Sequence, residues 1–462
     1  MGSYNLMGNR RRLPCALWLC LAALPWPAFG HSGVKRGAPV RQGACWTQTY
    51  EWNAPVREGG KLILRAAMGS VNITPGSGNQ LEGRVVVRVY TASEQKARRV
   101  FGAYHLSTRS LEGGGVYVTG ELTGSKHPDS SVGAEFDIKL PAPFNLDVET
   151  RGGDISLQGP LQGEARLTTA GGDIHTRDIS GPSRVETAGG SIDLGNLGAR
   201  AEVRTAGGSI HIGNVRGDAT IETSGGQIQV GQVDGTLRAE SAGGDVIIAG
   251  AAGPVIAQTA GGQIQVGPTG GSVRAETAAG SILLRGVRGR VVAETAGGSI
   301  DLLQLGAGVR ANTSAGRILA EFDAGAKSFA ASQLETSVGD VYVYLPVGLP
   351  LTIDAAIDAA AGHHIVADFP LNILGEKEDF SQRTLRGHGT LNGGGEVLRI
   401  RTVAGNIEIR KLDSRGWEDL RSHEGTNWSR WQEQQMRKEQ QREREEKRRE
   451  RQPEKEQAHD QE

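Results

Sequence analysis

The densest grouping of side chains able to hold a metal or move a proton is Asp354, Asp358, His363, His364, Asp368 and His388. Imidazoles and carboxylates are common zinc ligands and acid–base partners. No H-E-x-x-H or comparable spacing joins these six, so the expectation is exposed loop residues rather than a centre. A second set, His175, Asp193, His211 and Gln229, recurs at intervals of eighteen residues. If such residues stack on successive strands, the two histidines lie two steps apart, about 10 Å at strand spacing. That separation strains any shared site built on bonds of about 2 Å, and a surface ladder of polar groups is the expectation.

The stretch ETAGGSIDL occurs at Glu186–Leu194 and again, 108 residues later, at Glu294–Leu302. Its glycine pair invites comparison with the calcium-binding G-G-x-G-x-D-x-U-x repeat. Here Ile192 stands where the third glycine would be, and Leu194 where the aspartate would be. A hard cation needs several oxygens per site, so calcium is not expected in these turns. Carbohydrate cleavage would require convergent carboxylates and, usually, aromatic platforms. There is no Phe, Tyr or Trp between Phe144 and Phe322, and no paired carboxylates recur. No catalytic, cofactor-binding or metal-binding residues are therefore assigned, and no cofactor is expected. The alternative kept open is a carbohydrate-active β-helix enzyme, lyase or hydrolase, with its site in irregular loops.

What positions these residues is a repeat. Starting at each glycine pair, eight consecutive copies of eighteen residues run without insertion from Gly171 through the copy at Gly297. A slightly longer copy begins at Gly152 and an altered one at Ala315. Apolar or small residues fall at positions four, six, nine, thirteen, fifteen and seventeen, as in Ile210, Ile212, Val215, Ala219, Ile221 and Thr223. A spacing of two marks two short strands per copy, with the glycines supplying turns. Helical repeats have longer periods and a different spacing. The fold expected is all-β: a parallel β-solenoid (β-helix) of about eighteen residues per coil, right-handed by the general rule for parallel crossovers. Its open ends need caps. The columns Glu186, Arg204, Glu222 and Arg184, Glu202, Arg238 then read as neighbouring opposite charges.

Composition agrees. Gly accounts for 68 of 462 residues and aromatics for 5%. Such a chain builds a narrow core and many turns. Charge is close to balance, with 51 basic and 52 acidic side chains, which gives no footprint for nucleic acid. Arg10, Arg11 and Arg12 precede an apolar run from Leu13 to Phe29 ending in small residues, the pattern of an export signal over residues 1–30. Its removal would leave Cys45 as the only thiol, so no intramolecular disulfide is expected. No later segment is apolar enough to cross a bilayer.

Residues 31–60 read as a linker, 61–150 as an N-terminal β capping region, 151–320 as the regular array and 321–412 as a C-terminal β region and cap. A short helix is expected around Ser93–Tyr104, and loops with a hairpin within 362–395. From Asp413 to Glu462 the composition turns to Gln, Glu, Arg and Lys, a charged tail that is partly helical or disordered. Trp417, Trp428 and Trp431 are its only aromatic residues and could seat it on a partner, a membrane surface or the last coil.

The leader, the segment FDIKLPAPFNLDVETRGGDISL, the ETAGGSIDL-type copies, VGDVYVYLPVGLPLTIDA and the closing VAGNIEIRKL together resemble the bacterial DUF4097 proteins. The resemblance spans roughly 62–412. It implies a β-strand repeat protein of the "putative adhesin" kind and offers no catalytic residue. The function expected is an exported, non-enzymatic envelope scaffold or binding module, periplasmic, cell-surface or extracellular. Its partner would be an envelope or extracellular protein or polysaccharide. A signalling accessory acting through the tail is a further alternative.

Overall fold

The computed structural model describes residues 33–123, 132–325, 329–378 and 382–412. The expected leader and the charged tail lie outside these. Each regular copy contributes one strand to each of two long sheets. In the copy from Gly189 these are Ile192–Leu194 and Ala201–Thr205. The first pairs in parallel with Ile174–Thr176 and Ile210–Ile212, the second with Ser183–Thr187 and Ala219–Thr223. A third line of contact is a run of single parallel bridges through Leu161, Ile179, Leu197, Val215 and Val233. Each coil is thus three-sided. The six positions expected to face inward do so: Ile210, Ile212, Val215, Ala219, Ile221 and Thr223 are all buried. The interior is a stack of Ile, Leu, Val and Ala, the side chains that fill a narrow triangle without aromatic bulk. These parallel stacks form the β-solenoid that the period predicted.

The two glycines of each pair have different reasons. At the second, a Cβ would sit 2.1 Å from Gly190 O at Gly208, 2.2 Å from Gly208 O at Gly226 and 2.3 Å from Gly226 O at Gly244. Only glycine permits this approach to the coil before. At the first, the closest atom is 3.3 Å away at Gly207 and 3.1 Å at Gly225, and Ala279 and Ala315 occupy the same position. The requirement is therefore steric, from the neighbouring coil, rather than the turn conformation expected from sequence.

Position seventeen holds a hydroxyl. Thr205 Oγ1 donates to Gly190 O at 2.8 Å and accepts from Gly208 N at 3.2 Å. Thr187, Thr259, Thr277 and Thr295 repeat both bonds, and Ser241 does so with Gly226 O and Gly244 N. These hydroxyls satisfy turn groups that strand pairing leaves over. Outside, the side chains at the turns cap the next coil: Asp173 Oδ1 accepts from Ser191 N, and Asp178, Asn196 and Asn214 accept from Asn196, Asn214 and Gln232 N.

At both ends the order of coils departs from the order of the chain. Lys61–Ala66 lies between Asn145–Thr150 and Gly115–Leu122, parallel to both. Ser70–Gly76 likewise lies between Ile155–Leu157 and Val132–Pro141. At the other end Val397–Ala404 is inserted between Ser332–Val338 and Leu351–Ile357, and Ile407–Lys411 between Val341–Leu345 and Ile365–Ala367. The expected closing copy from Thr402 is therefore an internal layer and not the terminal one.

Antiparallel strands finish each end. Residues 31–60 include the eleven-residue strand Cys45–Pro55, which pairs with Gln80–Val89. Trp52 lies across Gly83, whose missing side chain makes room for the indole. The helix Glu94–Ala103 starts on Ser93, whose hydroxyl accepts from Lys96 N, and buries Ala97 and Phe101. Beyond it, Tyr104–Leu111 and Gly115–Leu122 form a hairpin. At the far end Asn372–Glu378 and Gln382–Leu391 form another, as expected for that stretch.

Candidate functional site

A long concavity follows the outer face of the five-residue strands, a groove of about 1360 Å³ running from Glu186 to Ser314. Because the copies keep one length, its lining repeats from coil to coil. Its floor is the column at position eighteen: Ala206, Ser224, Ala242, Ala260, Ala278 and Ala296, all exposed and small. Its wall is position sixteen: Glu186, Arg204, Glu222, Glu240, Gln258, Glu276, Glu294 and Asn312. Strand register places each of these beside the next, so Glu222 stacks on Glu240 and Glu276 on Glu294.

Beside the wall, position fourteen supplies Arg184, Arg238, Arg274 and Arg310, while in the copy from Gly189 the order is reversed, with Glu202 at position fourteen and Arg204 in the wall. Arg184 bridges Glu186 and Glu202, the latter at 3.2 Å, and Arg204 bridges Glu202 and Glu222, the latter at 2.9 Å. Hydrogen bonding to Glu222 is the main cause that raises the Arg204 pKa, with burial acting the other way. Arg238 pairs with Glu240, Arg274 with Glu276, and Arg310 with Glu294 at 3.6 Å. Gln258 Nε2 donates to Glu276 Oε2 at 2.6 Å. The opposite-charge neighbours expected for Glu186, Arg204, Glu222, Arg184 and Glu202 are present, and Arg238 joins the same face through Glu240. The groove lip is thus acidic, backed by arginines that hold each carboxylate in place. Pairs of this exposure contribute little to stability. What they supply is a regular, preset row of acceptors and donors along a straight channel.

A second concavity, about 580 Å³, lies at the N-terminal end, bounded by Lys35, Glu51, Asn72, Arg84, Asp137 and Lys139 with Trp52 beneath. Asn72 Nδ2 donates to Asp137 Oδ1 at 3.1 Å. Trp52 escaped the sequence reading because it lies outside the repeat; the signal available was an aromatic within an alternating run.

The six residues first considered for metal or acid–base work are spread over several elements. Asp354 faces Arg399 at 3.7 Å and is the strand neighbour of His388. His363 ends a tight turn on Ala360, and the His364 amide donates to Asn406 Oδ1. Asp368 accepts from Arg410 and from Lys411 N. Among the described residues no three His, Cys, Asp or Glu side chains converge as metal ligands. His175, Asp193, His211 and Gln229 do form one column on the outer face of the three-residue strands. Ile192 and Leu194 fill the core where calcium ligands would stand. Cys45 is half-buried with its thiol toward Gln42 O. Among the described residues no helix is long and apolar enough to cross a membrane.

No curated protein sequence matches the chain. Among solved structures, a "putative cell adhesion protein" from Clostridium sporogenes ATCC 15579 aligns with 78% of this chain and 98% of its own, at 11% identity and a TM-score of 0.16. A "putative adhesin" from Bacteroides fragilis NCTC 9343 aligns with 53% and 95%, at 13% identity and a TM-score of 0.24. A "putative lipid binding protein" from Parabacteroides distasonis ATCC 8503 aligns with 79% and 97%, at 8% identity and a TM-score of 0.16. The family model described as Toastrack DUF4097 matches residues 133–264, from the strand Val132–Pro141 into the middle of the array. With its stacked coils and their glycine turns, this chain carries a Toastrack DUF4097 region.

Proposed function

We propose that the chain is an exported, non-enzymatic binding module that holds an extended partner along the groove of the five-residue strands. One observation carries this reading: the groove is lined by the same repeat positions, sixteen to eighteen, of successive coils from Glu186 to Ser314. Catalysis needs a unique place where acid, base and substrate meet. A channel that repeats from coil to coil suits a ligand that is itself long and repetitive, such as an envelope polysaccharide or an extended peptide. The acidic lip disfavours a polyphosphate, which would meet Glu222, Glu240, Glu276 and Glu294 in succession. Neutral hydroxyls, amides and cationic groups find paired acceptors and donors instead.

The test fills the groove while sparing the fold. Ala242→Arg combined with Ala278→Arg places long side chains on exposed floor positions whose Cβ atoms already exist. Binding of purified protein to cell-wall polysaccharide and to envelope protein fractions is measured for wild type and variant. Loss of binding with an unchanged thermal midpoint supports the proposal, and full binding by the variant refutes it. Release of reducing ends or unsaturated products from the polysaccharide by wild-type protein would establish the lyase or hydrolase alternative.

A further inference from the structure

The second concavity, at the N-terminal end, is lined by charges that the strand register sets in two rows. Lys35, Glu51, Arg84, Asp137 and Asn72 stand side by side on five neighbouring strands. Asn53, Glu82, Lys139 and Thr74 form the other row, two residues along four of the same strands. Thr74 Oγ1 extends that row by donating to Gln158 Oε1 at 3.4 Å. Between the rows lie Trp52, Gly83 and Ile138, buried, as the floor. Every residue of the two rows but Gln158 belongs to a paired strand, so the layout is held by the sheet rather than by loops.

The signs alternate in both directions. Along the rows they run Lys35, Glu51, Arg84, Asp137 and Glu82, Lys139; across the channel Arg84 stands opposite Glu82, and Asp137 opposite Lys139. Backbone neighbours are about 4.8 Å apart along a row and about 6.8 Å apart across the channel. Opposite charges are therefore within reach of one another, yet among the described residues none of these six joins an ion pair. Asp137 takes the Asn72 amide instead, at 3.1 Å. The same two strands do close such a pair where Arg88 meets Glu135 at 2.7 Å. The long groove is the opposite case, since its carboxylates already hold arginines. Three cations and three anions thus line one cavity with their ionic contacts still to be made.

That balance selects a ligand class. A purely anionic or purely cationic molecule would meet as many repelling groups as attracting ones. An uncharged one would draw these side chains out of water and offer them no ionic contact in return, which is costly. A zwitterion satisfies both signs at once through charge-assisted hydrogen bonds. The spacing narrows the class further: two extended residues set a free ammonium and a free carboxylate about 7 Å apart, the width of the channel. The cavity, about 580 Å³, is in the size range of small-molecule sites. We propose that it binds a short peptide with both ends free, the carboxylate on Arg84 or Lys139 and the ammonium on the facing Glu82 or Asp137.

The experiment is calorimetric titration of the full chain with L-alanyl-L-alanine, beside its N-acetylated and its C-amidated forms. The free dipeptide is expected to bind saturably, and each blocked form about tenfold or more weakly than it, the loss of one charge-assisted contact. Arg84→Gln with Lys139→Gln removes the cations at exposed positions, so this variant should lose its preference for the free dipeptide over the C-amidated form. Glu82→Gln with Asp137→Asn should likewise lose the preference over the N-acetylated form. Neither pair should move the thermal midpoint, and a merely structural role would not erase one preference while sparing the other. Equal affinity for free and blocked dipeptides, no saturable binding at millimolar dipeptide, or preferences unchanged in both variants overturns the proposal. The Ala242→Arg, Ala278→Arg chain should bind the dipeptide as wild type does, because the groove lies on the other sheet; the two sites therefore stand or fall separately.

Discussion

The hydroxyl at position seventeen gives the sharpest test of how the coils are joined. Replacing Thr205 by Val keeps the shape and β-branching of the side chain and removes only its hydrogen-bonding capacity. Gly190 O loses its donor at 2.8 Å and Gly208 N its acceptor at 3.2 Å. Each buried group left without a partner costs about 1–3 kcal/mol, and the Gly208 amide is only part-buried, so the pair should cost ~2–4 kcal/mol locally. Thr205→Ser is the control, because Ser241 already makes both contacts in its own coil. It forfeits one methyl group, ~1 kcal/mol or less. The assay is native-state hydrogen exchange at the Gly208 amide, supported by urea denaturation. At about 1.4 kcal/mol per tenfold, the Val variant should exchange some 30- to 1000-fold faster than wild type, with the Ser variant within about tenfold. If the Val variant exchanges no faster than the Ser variant, the hydroxyls do not join the turns, and the reasoning fails.

Other expectations follow from the same contacts. Gly208→Ala drives a methyl to 2.1 Å from Gly190 O and should lower the thermal midpoint sharply, whereas Gly207→Ala, with 3.3 Å of room, should be close to neutral; equal effects would refute the steric account. The buried Tyr104 hydroxyl has no partner among the described residues, and burial, with Tyr50 beside it, raises its pKa. Tyr104→Phe should therefore hold or gain stability by up to about 1 kcal/mol in urea titrations, and a clear loss would reveal a bond the geometry does not show. Asp301 binds its proton more tightly folded than unfolded, so its contribution is fully present below the ordinary carboxylate pKa and is lost as pH rises through the raised value. Asp301→Asn should remove that slope, so wild type compares best with the variant at acidic pH; a wild-type advantage that grows toward neutrality would contradict it.

The regular coils were legible because one period fixes everything in them: once Ile210, Val215 and Ile221 recur at eighteen, strand, turn and core follow together. The ends were not, because period-two alternation marks a strand without naming its neighbour. Thr402–Leu412 reads the same whether it stacks last or slides between two earlier coils. The difference between the paired glycines was within reach, since Ala279, Ala315, Val338 and Ala404 all occupy the first position while Gly280, Gly316, Gly339 and Gly405 hold the second. The buried and half-buried outward positions also left a trace, in the apolar residues Ile247, Leu283 and Leu319 where alternation calls for polar ones. The groove was illegible because its floor is alanine and serine, which as single residues carry no chemical signal.

The inserted layer at the C-terminal end sets the order in which the molecule can be completed. From Asn145 onward each coil finds its neighbour already made, so the array can lengthen in step with synthesis. The final layer cannot be added that way. Residues 397–411 lie between 332–345 and 351–367, so those two layers are joined through the sheets only once the last described residues are in place. A chain cut short anywhere before Val397 loses the backbone partners of the strands on both sides of that layer. The fold therefore carries its own check of completeness, closing only when the end of the solenoid has been made.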